Sequence, residues 1–152
     1  MANIVPPHNV ALFTIPFFYL RHGETTANAT QTIGGSSDVK LTPLGHEQAQ
    51  RAAVALRNNG ITSIYSSHLS RAHDTALYVS RELDMPVKVI RDISERDWGE
   101  YEGRPRIEAR RGATPLKGET REAFTARVIS GFGMIPAEGL PLIVAHSGVY
   151  RV

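Results

Sequence analysis

Cysteine is absent from the 152 residues. That excludes disulfides, thiolate nucleophiles and cysteine-based zinc sites, and it is compatible with a reducing compartment, so the expected location is the cytoplasm. No run is long and apolar enough to span a bilayer. The apolar stretch from Val10 to Leu20 lacks the basic flank and small-residue cleavage site of a signal peptide, carries Pro16, and runs straight into Arg21-His22. It reads as a buried strand. Charge of either sign is nearly balanced, at +2. That is too little for a nucleic-acid or membrane-surface protein, although it suits small anions. Repeats and low-complexity tracts are also lacking. What remains is ordinary: 41% hydrophobic and 21% charged residues, as in a globular domain.

The pattern of elements gives the fold class. A loose tail is expected over residues 1–12, with Pro6-Pro7 opposing regular structure. A single domain then covers 13–152. Phe13 to Leu20, Ile61 to Tyr65, Val87 to Ile90 and Leu142 to Ala145 read as strands. Thr42 is an N-cap with Pro43 at the first helical position, and Ala49, Ala52, Ala53 and Leu56 follow at helical spacing. Asn58-Asn59-Gly60 ends that helix. A second helix runs from about Leu69 to Leu83, with Ala72, Ala76, Val79 and Leu83 on one face. A third starts near Thr120, with Ala123, Phe124, Val128 and Phe132 turned inward. Arg91 to Lys117, with six arginines, is a polar excursion over a surface site. Strands alternating with helices predict an α/β three-layer sandwich with a largely parallel central sheet. In such sheets ligands bind outside the carboxyl ends of the strands. Arg21, His22 and His146 follow strands directly, and Arg71 and Glu95 lie just beyond two others.

Four blocks carry the chemistry. They are Leu20-Arg21-His22-Gly23-Glu24-Thr25 with Asn28; Ser66 to Ala72 with Thr75-Ala76; Ser94 to Gly99 with Tyr101-Glu102-Gly103; and Ala145-His146-Ser147-Gly148. Two arginines and two histidines near one sheet edge make an anion pocket, because the guanidinium fork matches phosphate oxygens. Neighbouring arginines favour a neutral, nucleophilic imidazole. A glycine after the histidine lets phosphate approach the backbone. A carboxylic acid at the edge can protonate a departing alkoxide. Acidic residues crowd that edge (Asp92, Asp97, Glu100, Glu102), and the spacing before Trp98-Gly99 singles out Glu95. Glu24 and Trp98 read as structural, His68 and His73 as solvent-facing, and His8 and His46 as without a role. No histidine pair has the spacing of an HExxH zinc site.

Taken together in this order, the four blocks resemble the histidine phosphatase superfamily, also called phosphoglycerate mutase-like, from about Phe17 to the end. The resemblance implies the phosphoglycerate mutase-like sandwich and a phosphatase of the histidine acid phosphatase type that hydrolyses a small phosphorylated substrate. It implies no cofactor and no metal. His22 would attack phosphorus and become phosphohistidine. Arg21, Arg71 and His146 would hold the phosphoryl oxygens, and Asn28 would assist. Glu95 would donate a proton to the leaving group and then activate water. Gly34 and Gly35 match a substrate-contact loop. Three alternatives stay open: a mutase-type phosphotransferase, a non-catalytic phospho-ligand binding module, and a phosphoprotein phosphatase. The short stretch 96–145 favours hydrolysis, since a short lid leaves a phosphohistidine open to water. Arg104, Arg106, Arg110, Arg111 and Lys117 are candidates to meet a second anionic group. Relatives of this kind continue with a further C-terminal helix that this sequence lacks. It is expected either to be a truncated product or to be covered by a partner chain, so a homo-oligomer is also open.

Overall fold

A computed structural model describes residues 10–109 and 113–152. Arg110 and Arg111 lie outside the described residues, as do 1–9. Four strands form one parallel sheet: β1 Phe18–Arg21, β2 Ser63–Ser66, β3 Val87–Val89 and β4 Pro141–Ala145, in the spatial order β1-β4-β2-β3. The register pairs Arg21 with Ala145 and Ser66 with Val144. The ends of β1, β4 and β2 are therefore level. The helices are α1 Thr26–Ala29, α2 Pro43–Leu56, α3 Ser70–Leu83, α4 Arg121–Gly133 and α5 Ser147–Tyr150.

The order of strands explains the layers. The chain moves one way from β1 to β2 to β3, then reverses to insert β4 between β1 and β2. Right-handed crossovers place the connecting helices on one face for the first direction and on the other face for the reverse. Strand alternation divides the core accordingly. Ile64, Leu142 and Val144 pack with Ala53, Ala76 and Val79 of α2 and α3. Tyr65, Ile143 and Ala145 face the other way, onto Phe124, Val128 and Phe132 of α4. The result is the expected three-layer sandwich with a parallel central sheet.

Three details correct the sequence reading. The first strand is Phe18–Arg21, not Phe13 to Leu20, because Ala11–Thr14 forms a 3-10 turn and Pro16 has no N–H for a ladder. The core begins before Phe13: Val10 and Leu12 are buried under α4, so an N-terminal tail ending at residue 12 is too long. Ala123 is exposed while Ile129 is buried, so the inner face of α4 is rotated slightly from the expected one. The helix starts fare better. Thr42 Oγ1 accepts from Gly45 N with Pro43 in the first turn, and Thr120 Oγ1 accepts from Ala123 N. Among the described residues no helix is long and apolar enough to cross a membrane.

Candidate active site

Because β1 and β4 are neighbours, the residues after them meet. His22 N donates to Ala145 O at 3.1 Å, and the His22 and His146 rings stand 5.2 Å apart, centroid to centroid. His22 Nδ1 lies 2.7 Å from Gly23 O. A carbonyl only accepts, so Nδ1 carries the proton of the neutral ring and Nε2 keeps its lone pair. Burial lowers the His22 pKa to about 4. The Gly23 carbonyl opposes that shift, and the Arg71 and Arg21 charges add to it. The imidazole is therefore neutral at pH 7.

Gly23 has a second task. Its backbone passes so close to Gly45 at the start of α2 that a Cβ would run into the Gly45 carbonyl. Its N–H donates to Thr75 Oγ1 at 3.1 Å, and that hydroxyl donates to Arg71 O at 2.7 Å. One hydroxyl of α3 thus ties the His22 loop to the helical turn carrying Arg71.

Arg71 is 3% exposed. It donates from Nη1 to Ser37 O at 2.9 Å and from Nη2 to Gly35 O at 2.6 Å. The loop carrying those carbonyls is held from behind. The Glu102 carboxylate accepts from Ser36 N, Ser37 N and Trp98 N at 2.7, 2.9 and 3.0 Å, and from both serine hydroxyls. Burial opposes its ionisation, but the hydrogen bonds from Ser37, Trp98 and Ser36 outweigh burial and hold its pKa below the usual value. Gly35 has φ +53, and a Cβ there would strike Glu102. Glycine is needed at 35 on both counts.

His146 is fully buried, and neither ring nitrogen has a hydrogen-bond partner among the described residues. Burial keeps its pKa well below the ordinary value, and Arg71 and His22 push the same way. Unsatisfied buried nitrogens are costly, so this ring is poised to take an oxygen ligand. Its backbone is fixed by Tyr19, whose hydroxyl donates to His146 O at 2.7 Å and accepts from His146 N at 3.1 Å.

Glu95 Oε1 accepts from Arg96 N at 2.9 Å and Oε2 from Gly148 N at 3.0 Å, so it is seated against the first turn of α5. Three of the four rival carboxylates are committed elsewhere. Asp97 accepts from Gly99 N, Glu100 accepts from Leu116 N and Lys117 N, and Glu102 holds the serine loop.

Arg21, His22, Arg71, Glu95, Asn28 and the Gly34-Gly35 loop all line one open cleft of about 370 Å³. His146 sits behind it, against His22. The sequence candidates are therefore brought together. Asn28 also has a local role: Oδ1 accepts from Thr25 N while Asn28 N donates to Thr25 Oγ1, a reciprocal cap on α1. Glu24 is structural as expected, accepting from Thr42 Oγ1 at 2.7 Å. His68 is exposed, but His73 is half-buried, with Nδ1 3.2 Å from Ser66 Oγ. Trp98, read as structural, lines the cleft with Arg96 stacked on it at 4.4 Å. Sequence reasoning missed Thr75, Tyr19 and the Glu102 anchor. Thr75 and Glu102 stood in quoted blocks, but nothing in a spacing says which backbone a side chain will grip.

An α/β sheet with a neutral histidine, two arginines, a second histidine and one carboxylate at its carboxyl edge defines a protein built to handle phosphoryl groups. The chain belongs to the histidine phosphatase superfamily (branch 1), whose family model matches residues 17–152. It is 34% identical over 146 residues to the probable phosphoglycerate mutase GpmB of Yersinia pestis (strain Pestoides F), covering 85% of this chain and 68% of that protein. Among solved structures it is similar to mycobacterial hydrolase 1, with a TM-score of 0.77 and 27% identity over 88% of this chain and 76% of that one. It is also similar to a mycobacterial glucosyl-3-phosphoglycerate phosphatase, with a TM-score of 0.73 and 28% identity over 88% and 74% of the two chains.

Proposed function

We propose that this chain is a phosphatase that hydrolyses phosphate monoesters through a phosphohistidine on His22, without a metal ion. The observation that carries this reading is the Nδ1–H to Gly23 O bond, which leaves a neutral Nε2 lone pair in an arginine-lined cleft. Nε2 attacks phosphorus and the bond to the ester oxygen breaks. Glu95 gives the departing alkoxide its proton. Water then attacks the phosphohistidine, Glu95 takes one of its protons, and inorganic phosphate leaves with His22 restored. Arg21, Arg71 and the one ring N–H of neutral His146 hold the phosphoryl oxygens as charge develops, and Asn28 assists with its free amide. This is the work a metal ion would otherwise do.

Hydrolysis is preferred to transfer because the stretch between the Glu95 and His146 blocks is short in sequence and the cleft is open to solvent. A phosphoglycerate mutase-type transfer is the second reading, favoured by the 34% identical relative of that name. The test is turnover of an aryl phosphate in excess chelator by the wild-type chain and by His22→Ala. Wild type is expected to release phosphate and phenol in equal amounts, with the variant slower by about a thousandfold or more. Equal rates in both proteins would overturn the His22 assignment. Loss of activity in chelator would remove metal independence. Phosphate passed to an added alcohol instead of water would favour the mutase reading.

A further inference from the structure

Glu95 sits in a stretch with no regular structure of its own. Residues 95–97 lie between the 3-10 turns Arg91–Ile93 and Gly99–Tyr101, so their backbone groups are not paired within a helix or a ladder and must find partners elsewhere. Two side chains supply them. Arg127, on α4, donates from Nη1 to Asp92 O at 2.8 Å, to Ser94 O at 3.1 Å and to Ser94 Oγ at 3.0 Å, and from Nη2 to Glu95 O at 3.3 Å. Glu119 Oε2 accepts from Asp97 N at 3.1 Å, and Glu119 N donates to Asp97 O at 2.9 Å. The backbone is thus gripped on both sides of Glu95.

The two gripping residues also hold each other. Arg127 Nε and Nη2 meet Glu119 Oε1 and Oε2, both at 2.7 Å, the two-point fit of guanidinium to carboxylate. One turn further along α4, Gly131 packs so closely on Asp92 and Ile93 that a Cβ would run into both. The helix therefore meets the segment leading to Glu95 at successive turns. Neither Arg127 nor Glu119 is among the described residues that line the cleft, so their route to the chemistry runs through Glu95. The Glu95 carboxylate is seated on Arg96 N and Gly148 N, and it moves with its own backbone. A proton donor must stand within hydrogen-bond reach of the departing oxygen. A displacement on the order of 1 Å is enough to lose much of its benefit.

We propose that Arg127 and Glu119 act together as positioning residues for proton transfer, holding the backbone of residues 92–97 so that the Glu95 carboxyl stays at the departing oxygen. This rests on the phosphatase reading above. A pair that merely fastened the excursion to α4 would support every substrate alike. A pair that positions the donor matters only when the leaving group needs a proton.

The experiment compares kcat/KM for two esters in wild type, Glu95→Gln, Arg127→Lys and Glu119→Gln. Phenyl phosphate releases a phenolate about as basic as that of tyrosine, with a pKa of about 10. Dinitrophenyl phosphate releases a stable anion that needs no proton. The ratio kcat/KM reports transfer to His22, before water enters, so the later work of Glu95 does not intrude. Glu95→Gln is expected to lose about a hundredfold on phenyl phosphate and less than about twofold on the dinitrophenyl ester. Arg127→Lys keeps the charge but not the fork, and should lose about tenfold on the first ester and almost nothing on the second. Glu119→Gln, the milder and isosteric change, should show the same pattern at about threefold, and it decides alone where Arg127→Lys does not fold. Equal losses on both esters, or none on either, in the Arg127 and Glu119 variants overturn the positioning role and leave the phosphatase reading standing. A Glu95→Gln variant without the contrast refutes Glu95 as donor and the proposal with it. Failure of wild type to turn over either ester refutes the phosphatase reading itself.

Discussion

His22 and His146 follow adjacent strands and are themselves buried. Arg104, Arg106 and Ile107 belong to a segment with no strand, where Ile107 is 87% exposed. The first region is shaped by packing: Gly23 against Gly45, Tyr19 around the His146 backbone, Thr75 between the His22 loop and the turn of α3 that carries Arg71. The second is shaped by carboxylates that grip backbone N–H groups, with Glu100 on residues 116 and 117, Glu119 on Asp97 and Glu102 on the serine loop and Trp98. The histidine ring is kept neutral where burial does the work. The excursion is held instead by polar bonds near the surface.

The largest expected effect comes from adding one methyl group to each region. Gly23→Ala forces a Cβ into the Gly45 carbonyl, backbone against backbone, with nothing flexible to yield. The expected loss is about 4 kcal/mol, or roughly 10 °C in Tm. Gly103→Ala in the excursion meets nothing within 4 Å, and only its φ of +79 opposes it. The expected loss there is about 1 kcal/mol. Thermal unfolding of the two variants measures the contrast, and equal losses would break it.

Acid should separate the regions by pH window. An unfolded histidine takes its proton near 6.5, whereas folded His22 resists down to about 4. Between those values the unfolded chain binds more protons. Stability contributed by neutral His22 is thus complete above about 6.5, falls as pH drops toward 4 and then levels, by on the order of 3 kcal/mol. His146 shifts in the same direction. The anchors have the opposite history. Glu100, Glu102 and Glu119 have folded pKa values below 4.5, so their contribution is intact above 4.5 and lost only as pH falls below it. Trp98 is the one tryptophan and lies in the excursion. Its fluorescence at low temperature should change below pH 4.5, while Tm should already decline from 6.5. A fluorescence change that tracks the decline from 6.5 would show that the regions are not separate.

The same division explains what could be read from the sequence. Helix caps at Thr42 and Thr120 are local, so a few residues suffice to place them. The parallel sandwich follows from alternation of elements, and the site residues were legible because they stand at strand ends in recurring blocks. The start of β1 was misplaced because Pro16 sits inside an apolar run that looks continuous until hydrogen-bond partners are counted. Burial of Val10 and Leu12 depends on α4, more than a hundred residues away, and no local pattern carries that. Arg104 and Arg106 look equivalent in sequence, and only the fold puts Arg106 on the cleft wall and pairs Arg104 with Glu108.

Glu102 joins the two regions, and its removal is expected to have a small but specific effect on function. It does not line the cleft with His22. It fixes Ser36 and Ser37, and the Gly35 and Ser37 carbonyls fix the Arg71 guanidinium. Glu102→Ala frees that loop, so Arg71 must be ordered again each time phosphate binds. The expected result is about a tenfold loss in kcat/KM for phenyl phosphate, close to 1.4 kcal/mol, mostly through KM, with a matching loss of affinity for inorganic phosphate. Glu102→Gln keeps one accepting oxygen and should recover part of it. A loss confined to kcat, with phosphate affinity unchanged, would mean that the loop does not position Arg71, and that the buried wall holds this arginine without help from the excursion.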